Sequence, residues 1–170
     1  MSSESARMNS AAEAQFRIQG EVSAPRTVKV IALDEPSERV VRRLAKDAWN
    51  RTTFLTAAAI SIASPMNSEF AVTARLSDLT GKSSVLSHEI DTADLVVMVA
   101  TPGGGAYAAS IIGEECSLRR VTTTGVVIGG ISAPEAAVSK TLSQLRPWSL
   151  MVVIADSEDY LGHMLAALRA

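Results

Sequence analysis

The sequence predicts an α/β fold: a three-layer α/β/α sandwich, Rossmann-like, around a mainly parallel sheet of five or six strands. Three observations predict it. Short apolar runs such as Leu95–Ala100 and Leu150–Ala155 recur along the chain, as expected of strands buried on both faces. Between them, apolar residues fall at helical spacing, as in Val40, Val41, Leu44, Ala45 and Ala48. The chain has 170 residues, 47% of them hydrophobic and 20% charged, enough for one domain with a proper core.

The elements follow in order. Residues 1–26 are polar and rich in Ala and Ser up to Pro25, and read as a flexible N-terminal tail; residues 27–170 form a single α/β domain. Val28–Leu33 is the first strand, and Asp34-Glu35-Pro36-Ser37 turns into the first helix. A strand is expected over Thr53–Ala58, a short one over Phe70–Leu76, and a helix over Ser83–Thr92 with Val85, Leu86 and Ile90 on one side. Asp94–Ala100 is a buried strand and Tyr107–Arg119 a helix. Val121–Ile128 is the next strand, ending in Gly129-Gly130. Ser132 and Glu135 have capping-box spacing for a helix running to about Leu145. Leu150–Ala155 is the last strand. Asp156 and Ser157 can cap a final helix that turns Tyr160, Leu161, Met164, Leu165 and Leu168 inward.

Right-handed crossovers place every strand-to-helix loop on one sheet edge, and ligands of such sheets bind there, at a topological switch point. Loops 34–37, 101–106, 129–132 and 156–157 therefore share a rim. Among them, "TPGGGAYAAS" joins a strand to a helix. Amides of Gly103, Gly104, Gly105 and Ala106 at a helix start suit an anion. The alternative is a tight turn whose small residues allow close packing. Thr101, Tyr107, Gly129 and Gly130 belong to the same rim, and Asp34 and Glu35 face it from the first helix. These carboxylates suit Mg²⁺, or simply the positive end of a helix.

Several functions are excluded. A net charge of −2 gives no general affinity for nucleic acid or an anionic membrane. The apolar runs are too short to span a bilayer. The first residues lack a secretory signal pattern, and the single Cys116 suits a reducing compartment, so a cytoplasmic location is expected. The dinucleotide pattern G-x-G-x-x-G fails, because Ala108 stands where its last glycine belongs. "LTGKSS" at 79–84 lacks the first glycine of a P-loop, position 76 being Leu, and reads as a helix start. Thr101 and Asp156 rule out a receiver-type phosphoacceptor site, which wants Asp and Lys at those strand ends. His88, His163 and Cys116 have no metal-ligand spacing, so no metal site is expected.

The order of segments resembles the N-terminal nucleotide-binding domain of the tubulin/FtsZ family over about residues 27–162. "VKVIALDEPSERVVRRL" takes the place of its first strand and helix. "IDTADLVVMVATPGGGAYAASI" resembles its alanine-aspartate pair, strand and GGGTG[ST]G signature loop. "VTTTGVVIGG" and "LSQLRPWSLMVVIADSEDYL" resemble later segments. The resemblance implies a guanine nucleotide with its phosphates over Gly103, Gly104 and Gly105. Two departures stand against a full site. Ala106, Tyr107, Ala108 and Ala109 replace the second half of the signature, and Asp34-Glu35-Pro36-Ser37-Glu38 replaces the family's first phosphate loop. Like charges a few ångströms apart cost about 1 kcal/mol in water and about 4 kcal/mol at an effective dielectric of 20, which disfavours a triphosphate beside Asp34 and Glu35. The family's catalytic loop and second domain lie beyond the segments matched, so polymer-coupled GTP hydrolysis is not expected.

The expected function is a non-hydrolysing small-ligand or nucleotide-binding regulatory module, with the ligand's anion at residues 102–106 and a homo-oligomer or protein partner. A small enzyme acting on a phosphorylated or acyl metabolite is the alternative, using the glycine-loop amides and Asp34 or Glu35. A structural protein-interaction domain is the third.

Overall fold

The computed structural model describes residues 25–58, 60 and 74–168. Residues 1–24 of the tail expected over residues 1–26, and most of the strand expected over Phe70–Leu76, lie outside them. Among the described residues, seven strands form one sheet: β1 (Val28–Ala32), β2 (Thr52–Thr56), β3 (Arg75–Asp78), β4 (Ser83–Val85), β5 (Leu95–Ala100), β6 (Thr122–Ile128) and β7 (Met151–Ala155), in the order β4-β3-β2-β1-β5-β6-β7. Strands β2, β1, β5, β6 and β7 are parallel, while β3 and β4 add an antiparallel hairpin at one edge. The sheet therefore exceeds the five or six strands expected.

Five α-helices among the described residues cover the sheet: α1 (Glu35–Leu44), α2 (Leu86–Asp91), α3 (Ala108–Arg119), α4 (Glu135–Leu145) and α5 (Glu158–Ala167). Strand alternation sorts the core between the two faces. Ile31, Leu55, Met98 and Val127 point to one side, where Leu86, Ile90, Ile112, Cys116 and Leu145 meet them from α2, α3 and α4. Val30, Val97, Val99 and Val126 point to the other, under Val40 and Val41 of α1 and Leu161 and Leu165 of α5. Each such side chain, fully buried, contributes about 1.5–3 kcal/mol. The architecture is the three-layer, Rossmann-like sandwich the sequence predicts.

Five local expectations are corrected. Ser83–Thr92 is not one helix: residues 83–85 pair with β3, and only Leu86–Asp91 is helical. "LTGKSS" forms the hairpin turn, not a helix start; Gly81 sits there at φ +90°, and the Asp78 carboxylate accepts from the amides of Thr80 and Lys82. The Ser132–Glu135 capping box does not form, because Pro134 takes the cap position and no side-chain bond closes it. Ser157 likewise precedes α5 without a side-chain cap. On α5, Tyr160 points outward at 43% exposure, whereas Leu161 and Leu165 are buried.

One internal contact fixes α3. A Cβ on Gly113 would stand 3.0 Å from Cγ and Cε3 of Trp148 and closer still to its Cβ. The glycine thus admits the 3-10 turn Arg146–Trp148 that leads into β7. Cys116 is buried one helical turn further on, and burial pushes its thiol up to about 12, ahead of the nearby Glu115 charge.

Candidate functional site

The strand order reverses between β1 and β5: the β1–α1–β2 connection runs one way across the sheet, and β5–α3–β6 runs the other. The switch-point crevice therefore lies beyond the carboxyl ends of these two strands. Two loops meet there, Leu33-Asp34 from β1 and Thr101–Tyr107 from β5.

Asp34 is the hinge of this meeting. It is the N-cap of α1: its Oδ1 accepts from the Ser37 amide at 2.8 Å, and the Ser37 hydroxyl accepts from the Asp34 amide at 3.2 Å. This is a capping box with Ser in place of the usual Glu. Its other oxygen, Oδ2, accepts from the Thr101 amide at 2.8 Å, across 67 residues of chain. The carboxylate also lies against the glycine loop. A Cβ on Gly104 would stand 2.8 Å from Asp34 Cγ and closer to Oδ2. Gly104 has the space it needs only because it has no side chain.

The other glycines turn toward α4. Gly103, at φ +76°, donates to the Ala137 carbonyl at 3.1 Å and to Thr141 Oγ1 at 3.0 Å. The Thr141 hydroxyl in turn donates to the Thr101 carbonyl at 3.1 Å. The Gly104 amide donates to the same carbonyl at 3.1 Å, and the Ala106 amide to Gln144 Oε1 at 3.0 Å. Among the described residues, the amides of Gly105, Tyr107 and Ala108 have no acceptor in the chain. They mark the amino end of α3, where the helix dipole is positive.

The remaining candidates fall at differing places. Tyr107 is half exposed, with its ring beside Gly105. Glu35 is exposed and faces Arg39 at 3.6 Å, so the structure does not bring it to the glycine loop. Gly129, at φ +77°, donates to the Ala155 carbonyl at 2.8 Å, and Gly130 leaves room for Ile154. That loop engages the end of β7. Among the described residues, no group of three or more His, Cys, Asp or Glu side chains could hold a metal ion, and no helix is long and apolar enough to cross a membrane.

The sequence reading missed Thr141 and Gln144. They are polar residues three apart on α4, one fully buried, and a buried threonine in a helix signals a partner. It also missed Lys29. This lysine is buried in β1 and bonded to Glu89 at 2.9 Å and Thr53 at 3.3 Å. Burial raises the Glu89 carboxyl, but the Lys29 hydrogen bond and charge outweigh it and hold it below the usual carboxylate range.

Two surface cavities lie away from the switch point. One, of about 470 Å³, is lined by Trp148, Arg120 and Leu150 at the amino end of β7. The other, of about 560 Å³, lies between α1 and α5 beside Trp49 and His163.

No family model matches the sequence, and no curated protein matches it. Among solved structures, the translation elongation factor SelB of Methanococcus maripaludis, in complex with the GTP analogue GppNHp, is similar at a TM-score of 0.47 and 8% identity. The similarity covers 84% of this chain and 33% of that one, so the chain spans about a third of that protein's length. The α/β architecture rests on this chain's own strand order, and the comparisons do not single out the tubulin/FtsZ family.

Proposed function

We propose that the chain is a non-hydrolysing binding and regulatory module that takes a small anionic ligand, a nucleotide phosphate included, at the switch-point crevice. The observation that carries this reading is the set of amides at Gly105, Tyr107 and Ala108, which have no acceptor among the described residues. They stand where an open α/β sheet receives its ligands. Gly103, Gly104 and Ala106 serve the reading indirectly: their amides hold the loop against Thr101 and α4.

Asp34 argues against hydrolysis of a polyphosphate. Both of its oxygens already accept backbone amides, which leaves little capacity for acid–base work. Its charge also occupies the side of the crevice where a second phosphate loop would have to come. The enzyme reading loses Glu35 as well, which is exposed.

Calorimetric titration with inorganic phosphate, GTP, ATP and NAD tests the proposal. Binding of at least one is expected, and Asp34→Ala should tighten it by roughly tenfold through loss of a nearby negative charge. Absence of heat from all four down to millimolar Kd, in both proteins, removes the ligand site. A protein-interaction role is the second reading, favoured by the exposed apolar edge at β7.

A further inference from the structure

Strand β7 is the outer strand of the parallel part of the sheet. Natural edges are blunted by charge, proline or a covering element. Here residues 150–155 read Leu-Met-Val-Val-Ile-Ala, with Leu150 83%, Met151 54% and Ile154 40% exposed. Among the described residues, nothing pairs with the outer side of β7.

From the backbone and these side chains we infer that β7 is a homodimer interface, on which a second copy of this chain pairs β7 to β7, antiparallel, about a two-fold axis at Val152. The hydrogen-bond phase fixes the axis. The Gly129 amide donates to the Ala155 carbonyl at 2.8 Å, and Ile128 stands opposite Ala155 in the parallel β6–β7 register. Met151, Val153 and Ala155 therefore turn their N–H and C=O groups to β6, and strand alternation turns those of Val152 and Ile154 outward. With Val152 opposite Val152, the two copies of this residue form a hydrogen-bonded pair. That pair exchanges two hydrogen bonds across the axis.

The same register solves the side-chain problem. It sets Leu150 directly opposite the second copy's Ile154, on the same face of the sheet, so the exposed apolar residues of this face cover one another in both halves. Charge agrees with this direction. The amino end of β7 carries exposed Arg146 and Arg120, and the carboxyl end runs into exposed Asp156 and Asp159. Antiparallel pairing brings the basic end of each copy to the acidic end of the other. A parallel pairing would set like charges together. The interface is isologous, as a closed dimer requires, and its prediction is independent of any ligand at the switch point.

Sedimentation equilibrium of the full chain tests it. Twice the 17.9 kDa chain mass is expected at micromolar to near-millimolar concentration. Leu150→Lys should weaken association by roughly thirtyfold or more. Val152→Pro should do the same while leaving β6–β7 pairing intact, since the lost N–H points outward. The register has its own test. Val152→Cys should cross-link to itself under mild oxidation, because the α-carbons of a hydrogen-bonded antiparallel pair stand about 5.5 Å apart, within disulfide reach. Met151→Cys should not, and the chain's own Cys116 is buried. A single-chain mass for the wild type at every concentration overturns the proposal. So does a dimer that persists in Leu150→Lys and Val152→Pro with unchanged strength. Equal cross-linking of the two cysteine variants overturns the register.

Discussion

Replacing Gly104 by alanine adds one methyl group at the point where the two switch-point loops touch. The new Cβ would lie 2.8 Å from Asp34 Cγ, closer still to Oδ2, and 3.1 Å from the Thr101 carbonyl oxygen. The carbonyl can yield by a few tenths of an ångström, but the carboxylate must leave. Leaving breaks the N-cap of α1, which is worth about 1 kcal/mol. It also strips the half-buried Thr101 amide of its acceptor, a loss of about 1–3 kcal/mol. Gly104→Ala should therefore destabilise the protein by about 2–4 kcal/mol, lowering Tm by roughly 5–15 °C for a chain of this size. Asp34→Ala removes the same two bonds and should have a similar effect. Together the two substitutions should be no worse than either alone, because the methyl group then enters space the carboxylate has vacated. Urea unfolding of the two single variants and the double variant measures this coupling. Additive losses would refute the reasoning, as would a Gly104→Ala protein as stable as the wild type.

Gly113→Ala should be destabilising by about 1–3 kcal/mol, although alanine is the better helix former, because its methyl group meets the Trp148 Cβ and ring; thermal unfolding and tryptophan fluorescence report it together. Cys116, buried with its thiol pushed up to about 12, should resist a thiol reagent in the native protein and react at the rate of unfolding in urea. The carboxyl of Glu89 is held down by Lys29, so the unfolded chain binds its proton more readily than the native one. That stability is present above the ordinary glutamate range and disappears as pH falls through the folded value. Glu89→Gln should cost about 3 kcal/mol at neutral pH by leaving Lys29 buried without its counter-charge, and should flatten the acid side of the stability–pH curve measured by denaturant titration.

The parts of the fold that could be read from the sequence are those with a periodic signal. Strands β1, β5 and β6 are buried on both faces, so their apolar runs need no context. Helix α1 announces itself through Asp34 and Pro36 at its start and Val40 and Val41 on its buried face. The β3–β4 hairpin gave no such signal. Residues 83–85 pair on one side only and are half exposed, so neither alternation nor an apolar run marks them, and Ser83–Thr92 passes for a helix. The site divides in the same way. The glycine run pointed to the rim, and the Asp34 carboxylate pointed to a helix start. That these two features touch depends on β1 and β5 being neighbours, with 67 residues between Asp34 and Thr101. Likewise, the Lys29 ion pair reaches across 60 residues to Glu89. A lone lysine inside an apolar strand does signal that a partner exists, but nothing local says which.

The two ends of the sheet are unlike. At the β4 end, a three-residue strand stands beside Arg75, whose guanidinium bonds to the Ser83 hydroxyl and carbonyl. Short length and charge make that margin a poor template. The β7 end has neither protection. A molecule with one adhesive margin and one inert margin counts to two and stops. Joining two copies through β7 leaves a continuous sheet that is terminated at both extremities by the same charged hairpin. The hairpin that escaped the sequence reading thus sets the stoichiometry, since without it each added chain would offer a fresh margin for the next.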